Sequence, residues 1–237
     1  MTTGTMQAYR LTGWREPARM TEVEIPEPAA DQVLVRVGGV GLCHSDLLFL
    51  DAEPGRFAYD LPYTMGHEIA GWVERTGTGV TDLEPGDGVV ACAHRLCGTC
   101  EFCRLGHDNY CSRFSTGLGF GQDGGLAEFV LVDRLALVGP TSLDPRIAGP
   151  LADAGKTAYH AVKRALDRLV PGSTAVVIGA GGLGGYAVQY LRLLTSCRIV
   201  VVDVAEHRLA MANQLGADRT IASTPSLMNC STAAICW

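Results

Sequence analysis

The sequence predicts an α/β protein in two unequal parts: a β-rich, barrel-type region, then the opening of a parallel sheet with crossover helices. Three observations predict it. Short alternating apolar runs broken by Gly and Pro fill the first 150 residues. A helical period takes over near Thr157. After Pro171-Gly172 the order becomes strand, glycine turn, helix, strand, helix.

Length and composition fit that division. The chain has 237 residues, enough for one or two domains at about 150 residues each. With 47% hydrophobic and 19% charged residues it is an ordinary globular chain. A formal net charge of −6 and the lack of any Lys/Arg cluster argue against a nucleic-acid partner. The 29 glycines predict many tight turns and close backbone approaches.

The β-rich part is read from Val33 to Val37 ending at Gly38-Gly39, Ile69 to Val73 ending at Gly77, Val89-Val90-Ala91 after Pro85-Gly86-Asp87-Gly88, and Phe129 to Val132 after Gly124-Gly125. Ala158, Ala161, Val162, Ala165, Leu166 and Leu169 then lie on one helical face. Ala175 to Ile178 is an apolar strand, followed by a helix through Leu194. Ile199 to Val202 is a second strand ending in Asp203, and Arg208 to Leu215 is a helix stopped by Gly216. The expected division is 1–155, with a metal lobe at about 92–113, then 156–218, then an irregular tail over 219–237 in which Thr220 to Ala222 is the weakest strand candidate.

The segment Leu169 to Leu191 is uncharged over 23 residues, long enough to span a bilayer. Pro171, six glycines and a mid-segment change of period exclude that reading. Met1 to Leu11 has no basic segment followed by an apolar core, so no secretory signal is expected. The expectation is a cytoplasmic, reducing location with no membrane partner, where nine cysteines point to metal or chemistry before disulfides.

Cys97, Cys100, Cys103 and Cys111 have the pattern C-x2-C-x2-C-x7-C. Four thiolates meet the tetrahedral demand of a structural Zn²⁺. An iron–sulfur cluster is the main competitor, but the bacterial ferredoxin run continues with a three-residue gap and a proline, where this chain has seven residues and Ser112 follows. Gly179-Ala180-Gly181-Gly182-Leu183-Gly184 satisfies G-x-G-x-x-G between a strand and a helix, the context a dinucleotide site needs. Gly179 serves the tight turn, Gly181 the approach of the pyrophosphate and Gly184 the packing of helix on strand. Asp203, 19 residues after Gly184, is placed to bind the adenosine ribose hydroxyls, and its charge favours NAD over NADP.

Gly41-Leu42-Cys43-His44-Ser45-Asp46 and Gly66-His67-Glu68 are modest signals singly. In order with the cysteine lobe and the glycine turn, over about residues 6 to 218, they make the chain resemble the zinc-dependent medium-chain alcohol dehydrogenases. Cys-His-Ser-Asp and Leu151-Ala152-Asp153-Ala154-Gly155 bring it closest to bacterial secondary-alcohol dehydrogenases. The resemblance implies a GroES-like domain followed by a partial Rossmann domain, one catalytic and one structural Zn²⁺, and NAD. It implies Cys43, His67 and Asp153 as catalytic zinc ligands, with Glu68 exchanging with the fourth. Asp153 stands where a cysteine is often found; a harder oxygen ligand leaves the ion more electrophilic. Asp46 would orient the His67 ring, Thr157 would lie near the nicotinamide and Arg208 near the adenosine, and Gly182 and Leu183 of the turn would join the other glycines in binding the cofactor.

The implied reaction passes a hydride between a primary or secondary alcohol and NAD, with Ser45 taking the hydroxyl proton. A histidine often found five residues after the first ligand is here Leu48, so the relay stops at Ser45 and the cofactor ribose or uses water. Polyol-type dehydrogenases are competitors. A dinucleotide-binding sheet has six strands in two halves, and this sequence shows the first half. With the unmotivated tail, that implies a C-terminally truncated or frameshifted member, whose alternative reading is a noncatalytic zinc-binding remnant. Its exposed sheet edge is expected to aggregate. Full-length relatives are homo-oligomeric; nothing in the sequence fixes the state of this chain.

Overall fold

Strand β3 (Gln32–Gly41) organises the first part of the molecule, because the strand that follows His67 pairs with it and the segment leading to Asp153 docks on it. In the computed structural model, which describes residues 4–94, 97–113 and 116–223, it is preceded by β1 (Thr5–Leu11) and β2 (Arg19–Glu24). After it come α1 (His44–Leu50), β4 (Tyr63–Thr64), β5 (Glu68–Thr76) and β6 (Gly88–Ala91). The cysteine lobe contributes α2 (Glu101–Arg104), then follow β7 (Gly117–Leu118), β8 (Gly121–Gln122), β9 (Phe129–Asp133), β10 (Leu137–Val138) and α3 (Pro145–Ala148).

The principal sheet runs β10-β6-β5-β3-β9, with every pairing antiparallel. Its inner face is supplied by the alternation read in the sequence: Val33, Val35, Ile69, Val73, Val89, Val130 and Val132 are all buried in one core. Gly38-Gly39 does not end β3 as expected. A register shift between Val37 and Gly39 absorbs the glycines, and the strand continues to Gly41, opposite Glu68. A second sheet, β2-β1-β4, was not anticipated, although Met6, Ala8 and Leu11 of β1 are buried. This unit ends at Asp153, and the other begins at Ala154.

The second unit comprises α4 (Ala154–Ala165), β11 (Thr174–Ile178), α5 (Gly182–Leu194), β12 (Arg198–Asp203), α6 (Glu206–Gln214) and β13 (Arg219–Ala222). The strands form a parallel sheet in the order β11-β12-β13, which needs a crossover helix between each pair. Two sequence expectations are corrected. The first helix starts three residues before Thr157 and ends in a 3-10 turn, Leu166–Arg168. Residues Arg219–Ala222, expected in an irregular tail, pair in parallel with Val200 to Asp203. The rest of that tail, with Cys230, Cys236 and Trp237, lies outside the described residues. The core here is Ala158, Val162, Val177, Val188, Leu191, Ile199, Val201 and Leu209. Among the described residues no helix is long and apolar enough to cross a membrane.

Candidate active site and metal centres

The β3–β5 register builds the first cluster. Gly41 pairs with Glu68, so Cys43, two residues past the end of β3, comes to lie beside His67 at the start of β5. Cys43 is the N-cap of α1, and its N–H donates to Asp46 Oδ2 at 2.9 Å. Asp153 arrives from the 3-10 turn Gly149–Ala152, which follows α3. Its Oδ2 lies 3.9 Å from Cys43 Sγ and 3.6 Å from His67 Nε2.

Cys43, His67, Glu68 and Asp153 each offer a ligand atom, and all four atoms lie within 4.8 Å of one another. Tetrahedral Zn²⁺ with bonds of about 2.0–2.3 Å sets its ligands about 3.3–3.8 Å apart, so the donor set fits the ion in chemistry and in spacing. Burial works against charge on His67, yet hydrogen bonding to Asp153 and Asp46 outweighs it and raises the imidazole to about 10. On the other side of the ring, His67 Nδ1 lies 3.3 Å from Asp46 Oδ1, and neither atom has another hydrogen-bond partner. Ser45 Oγ is 3.4 Å from His67 Nε2. Leu48 is on α1 and 39% exposed.

Phe120 was not singled out in the sequence. Its ring centroid lies 4.4 Å from that of His67, and it also packs edge-on against Phe49. A lone aromatic inside Gly117-Leu118-Gly119-Phe120-Gly121 was the available signal.

The second cluster is the cysteine lobe. Cys97 Sγ lies 3.9 Å from Cys103 Sγ, and Cys100 Sγ lies 4.0 Å from Cys111 Sγ. These distances are close to the edge of a ZnS₄ tetrahedron, about 3.8 Å, and far beyond a disulfide bond. Backbone N–H groups of Thr99 and Cys100 hold the Cys97 thiol down at about 6, while burial pushes Cys103 up to about 12. All seven described cysteines are free thiols.

In the second unit, Gly179 has φ +90° and turns the chain out of β11. A side chain on Gly184 would overlap the Gly179 carbonyl, which explains the glycine where α5 crosses the strand end. Nothing lies within 4 Å of where side chains on Gly181 and Gly182 would stand. That leaves open space at the N-terminus of a 13-residue helix, whose first N–H groups lack helical partners. Leu183 occupies the first turn of α5. Asp203 ends β12 and is 1% exposed. Its Oδ2 accepts the Ala180 N–H at 2.6 Å and its Oδ1 the Ala205 N–H at 2.8 Å. Arg208 is exposed on α6, where its charge helps hold the Asp203 carboxyl ionised. Thr157 lies in the first turn of α4.

Residues 29–140 match the alcohol dehydrogenase GroES-like domain. The NAD-dependent alcohol dehydrogenase of Sulfurisphaera tokodaii is 38% identical over 224 residues, covering 91% of this chain and 64% of that protein. The crystal structure of the alcohol dehydrogenase from Aeropyrum pernix superposes with a TM-score of 0.86 at 36% identity, over 94% of this chain and 66% of that one. The D-arabinose dehydrogenase of Sulfolobus solfataricus gives 0.83 at 34% identity, over 95% and 70%. The chain therefore spans a little under two thirds of the length of the curated relatives it matches.

Proposed function

Because the chain belongs to the zinc-dependent medium-chain alcohol dehydrogenase family, we propose that it transfers a hydride between a primary or secondary alcohol and NAD, giving an aldehyde or ketone. The observation that carries the proposal is the convergence of Cys43, His67, Glu68 and Asp153 within ligand range. Cys43, His67 and Asp153 would hold a Zn²⁺, with Glu68 exchanging with water or substrate at the fourth position. When bound, the ion supplies Lewis acidity that lowers the pKa of an alcohol hydroxyl. NAD supplies the hydride acceptor.

The chain's own residues do the rest. Asp46 fixes the His67 ring through Nδ1, which leaves Nε2 for the metal. Ser45 Oγ, beside His67 Nε2, would relay the proton: in oxidation it accepts the alcohol hydroxyl proton as its own hydroxyl proton passes on, and in reduction the transfer reverses. Leu48 offers no onward carrier, so the proton leaves Ser45 through water or a cofactor hydroxyl. The open face at Gly181 and Gly182, with the N–H groups of Leu183 and Gly184, would receive the pyrophosphate. Asp203 would accept a ribose hydroxyl, and its negative charge disfavours a 2′-phosphate. Thr157 and Arg208 would line the nicotinamide and adenosine ends. Cys97, Cys100, Cys103 and Cys111 would hold a second, structural Zn²⁺. Free thiols of this kind suit a reducing cytoplasm.

NADH formation from a secondary alcohol, measured together with zinc per chain, tests the proposal. Turnover that disappears with a chelator and returns with Zn²⁺ supports it. Two bound zinc ions without turnover would leave the alternative, a metal-binding chain that is not an enzyme.

A further inference from the structure

The segment that carries Asp153 docks on the two strands that carry the other ligands, through a contact that only a residue without a side chain permits. Gly149 has φ −48° and ψ −49°, a helical conformation that alanine adopts more readily than glycine. Its backbone angles therefore give no reason for a glycine. Its surroundings do. A Cβ on Gly149 would overlap the Glu68 carbonyl oxygen and would stand 3.1 Å from Gly39 O and 3.2 Å from Gly41 N. All three are main-chain atoms of β3 and β5, which are paired with each other at these residues and cannot yield separately. Gly39 answers from the other side, since a Cβ there would overlap the Arg146 carbonyl of α3. From Gly149 one 3-10 turn leads to Asp153, so the closeness of this approach fixes how far Asp153 reaches toward Cys43 and His67.

Gly41 does the same for the other carboxylate. It pairs with Glu68 across the strands, and a Cβ on it would overlap Glu68 Oε2 and stand 3.0 Å from Glu68 Cβ. Glu68 is buried, 4% exposed, so a carboxylate displaced from this space has no route to solvent that keeps it in ligand range.

We propose that Gly149 and Gly41 are positioning residues of the metal centre: the bare Cα of Gly149 sets the approach of Asp153, and the bare Cα of Gly41 makes the space that the Glu68 carboxylate occupies. The inference rests on the reading of this cluster as a zinc site. It places part of the ligand geometry in two residues that donate nothing.

The experiment measures metal binding by the 237-residue chain and by its Gly149→Ala and Gly41→Ala variants, with the four-cysteine lobe as an internal control of folding. Zinc affinity is read by chelator competition, and the second site is read again from the visible bands of bound Co²⁺. Gly149→Ala is expected to hold one ion as the wild type does and to bind the other about ten-fold or more weakly, with altered Co²⁺ bands. Second-site affinity and bands equal to the wild type would overturn the proposal. If Gly149→Ala fails to fold, Gly41→Ala decides, because the atoms its methyl meets first are side-chain atoms of Glu68, Oε2 closest, rather than main chain. Altered Co²⁺ bands in Gly41→Ala then support the proposal, and unaltered bands overturn it. A wild-type chain that binds a single ion, at the lobe, refutes the zinc-site reading and the inference with it. Two ions in the wild type and an unperturbed pair of variants refute the inference alone.

Discussion

His67 Nδ1 faces Asp46 Oδ1 at 3.3 Å, while the other oxygen of the same carboxylate accepts the Cys43 N–H at 2.9 Å. One buried side chain, 5% exposed, therefore fixes the ring of one proposed metal ligand and the backbone of another. Removing it frees both. Asp46→Ala is expected to weaken zinc binding at the Cys43–His67–Asp153 site by about 10- to 100-fold and to leave the cysteine lobe untouched. Chelator competition resolves the two sites, and equal loss at both would show that Asp46 acts only on the fold.

Ser45 Oγ, 3.4 Å from His67 Nε2, is the proposed proton relay and is not one of the four residues of the ligand cluster. Ser45→Ala is expected to lower turnover about 100-fold or more while zinc content stays at the wild-type value. Steady-state NADH formation and metal analysis on the same sample check this. Turnover within a few-fold of the wild type would remove Ser45 from the proton path.

Asp203 links the cofactor turn to acid stability. Burial alone would raise its carboxyl, but the N–H groups of Ala180 and Ala205 and the charge of Arg208 outweigh that and hold it below the ordinary range. A depressed native pKa contributes stability that is complete above the unfolded value, about 4, and is lost as pH falls through the native value. Thermal unfolding of the second unit should therefore weaken steeply below about pH 4. Asp203→Asn should flatten that acid dependence and cost about 1–3 kcal/mol at neutral pH, because two buried N–H donors lose a charged acceptor. An unchanged acid slope in the variant would contradict the assignment.

Strand β11 is at one edge of its sheet, and Val176 on it is 55% exposed. An edge strand with an exposed apolar residue invites pairing with another chain. Val176→Lys is expected to reduce self-association measured by light scattering at equal protein concentration, with the melting temperature little changed. Undiminished scattering would direct attention to another surface.

The sequence carried the chemistry more fully than the geometry. The spacing of Cys97, Cys100, Cys103 and Cys111 forces a common loop, so the lobe was legible from spacing alone. The glycine turn was legible because its motif sits between two elements of strong period. The other cluster was different: Cys43, His67 and Asp153 are far apart in the chain, and only resemblance joined them, because the β3–β5 register that brings them together depends on a bulge at Gly38-Gly39 that reads locally as a strand end. Strand β1 was missed because Tyr9 and Arg10 blur its alternation, and β2 because it has no buried residue and three charged ones on its exposed positions. Strand β13 was legible only as a weak candidate at Thr220 to Ala222, because so few residues carry too little pattern without the partner that orders them. Phe120, Gly41 and Gly149 act through what they touch or leave empty, which no single sequence displays.

The central claim is that two metal centres and a dinucleotide turn in this chain make a working alcohol dehydrogenase. The most direct measurement is the initial rate of NADH formation, followed at 340 nm, from a secondary alcohol and NAD with the zinc-loaded 237-residue chain. The expected result is a zinc-dependent rate that falls to background in Ser45→Ala. A chain carrying two zinc ions and forming no NADH from any primary or secondary alcohol would contradict it.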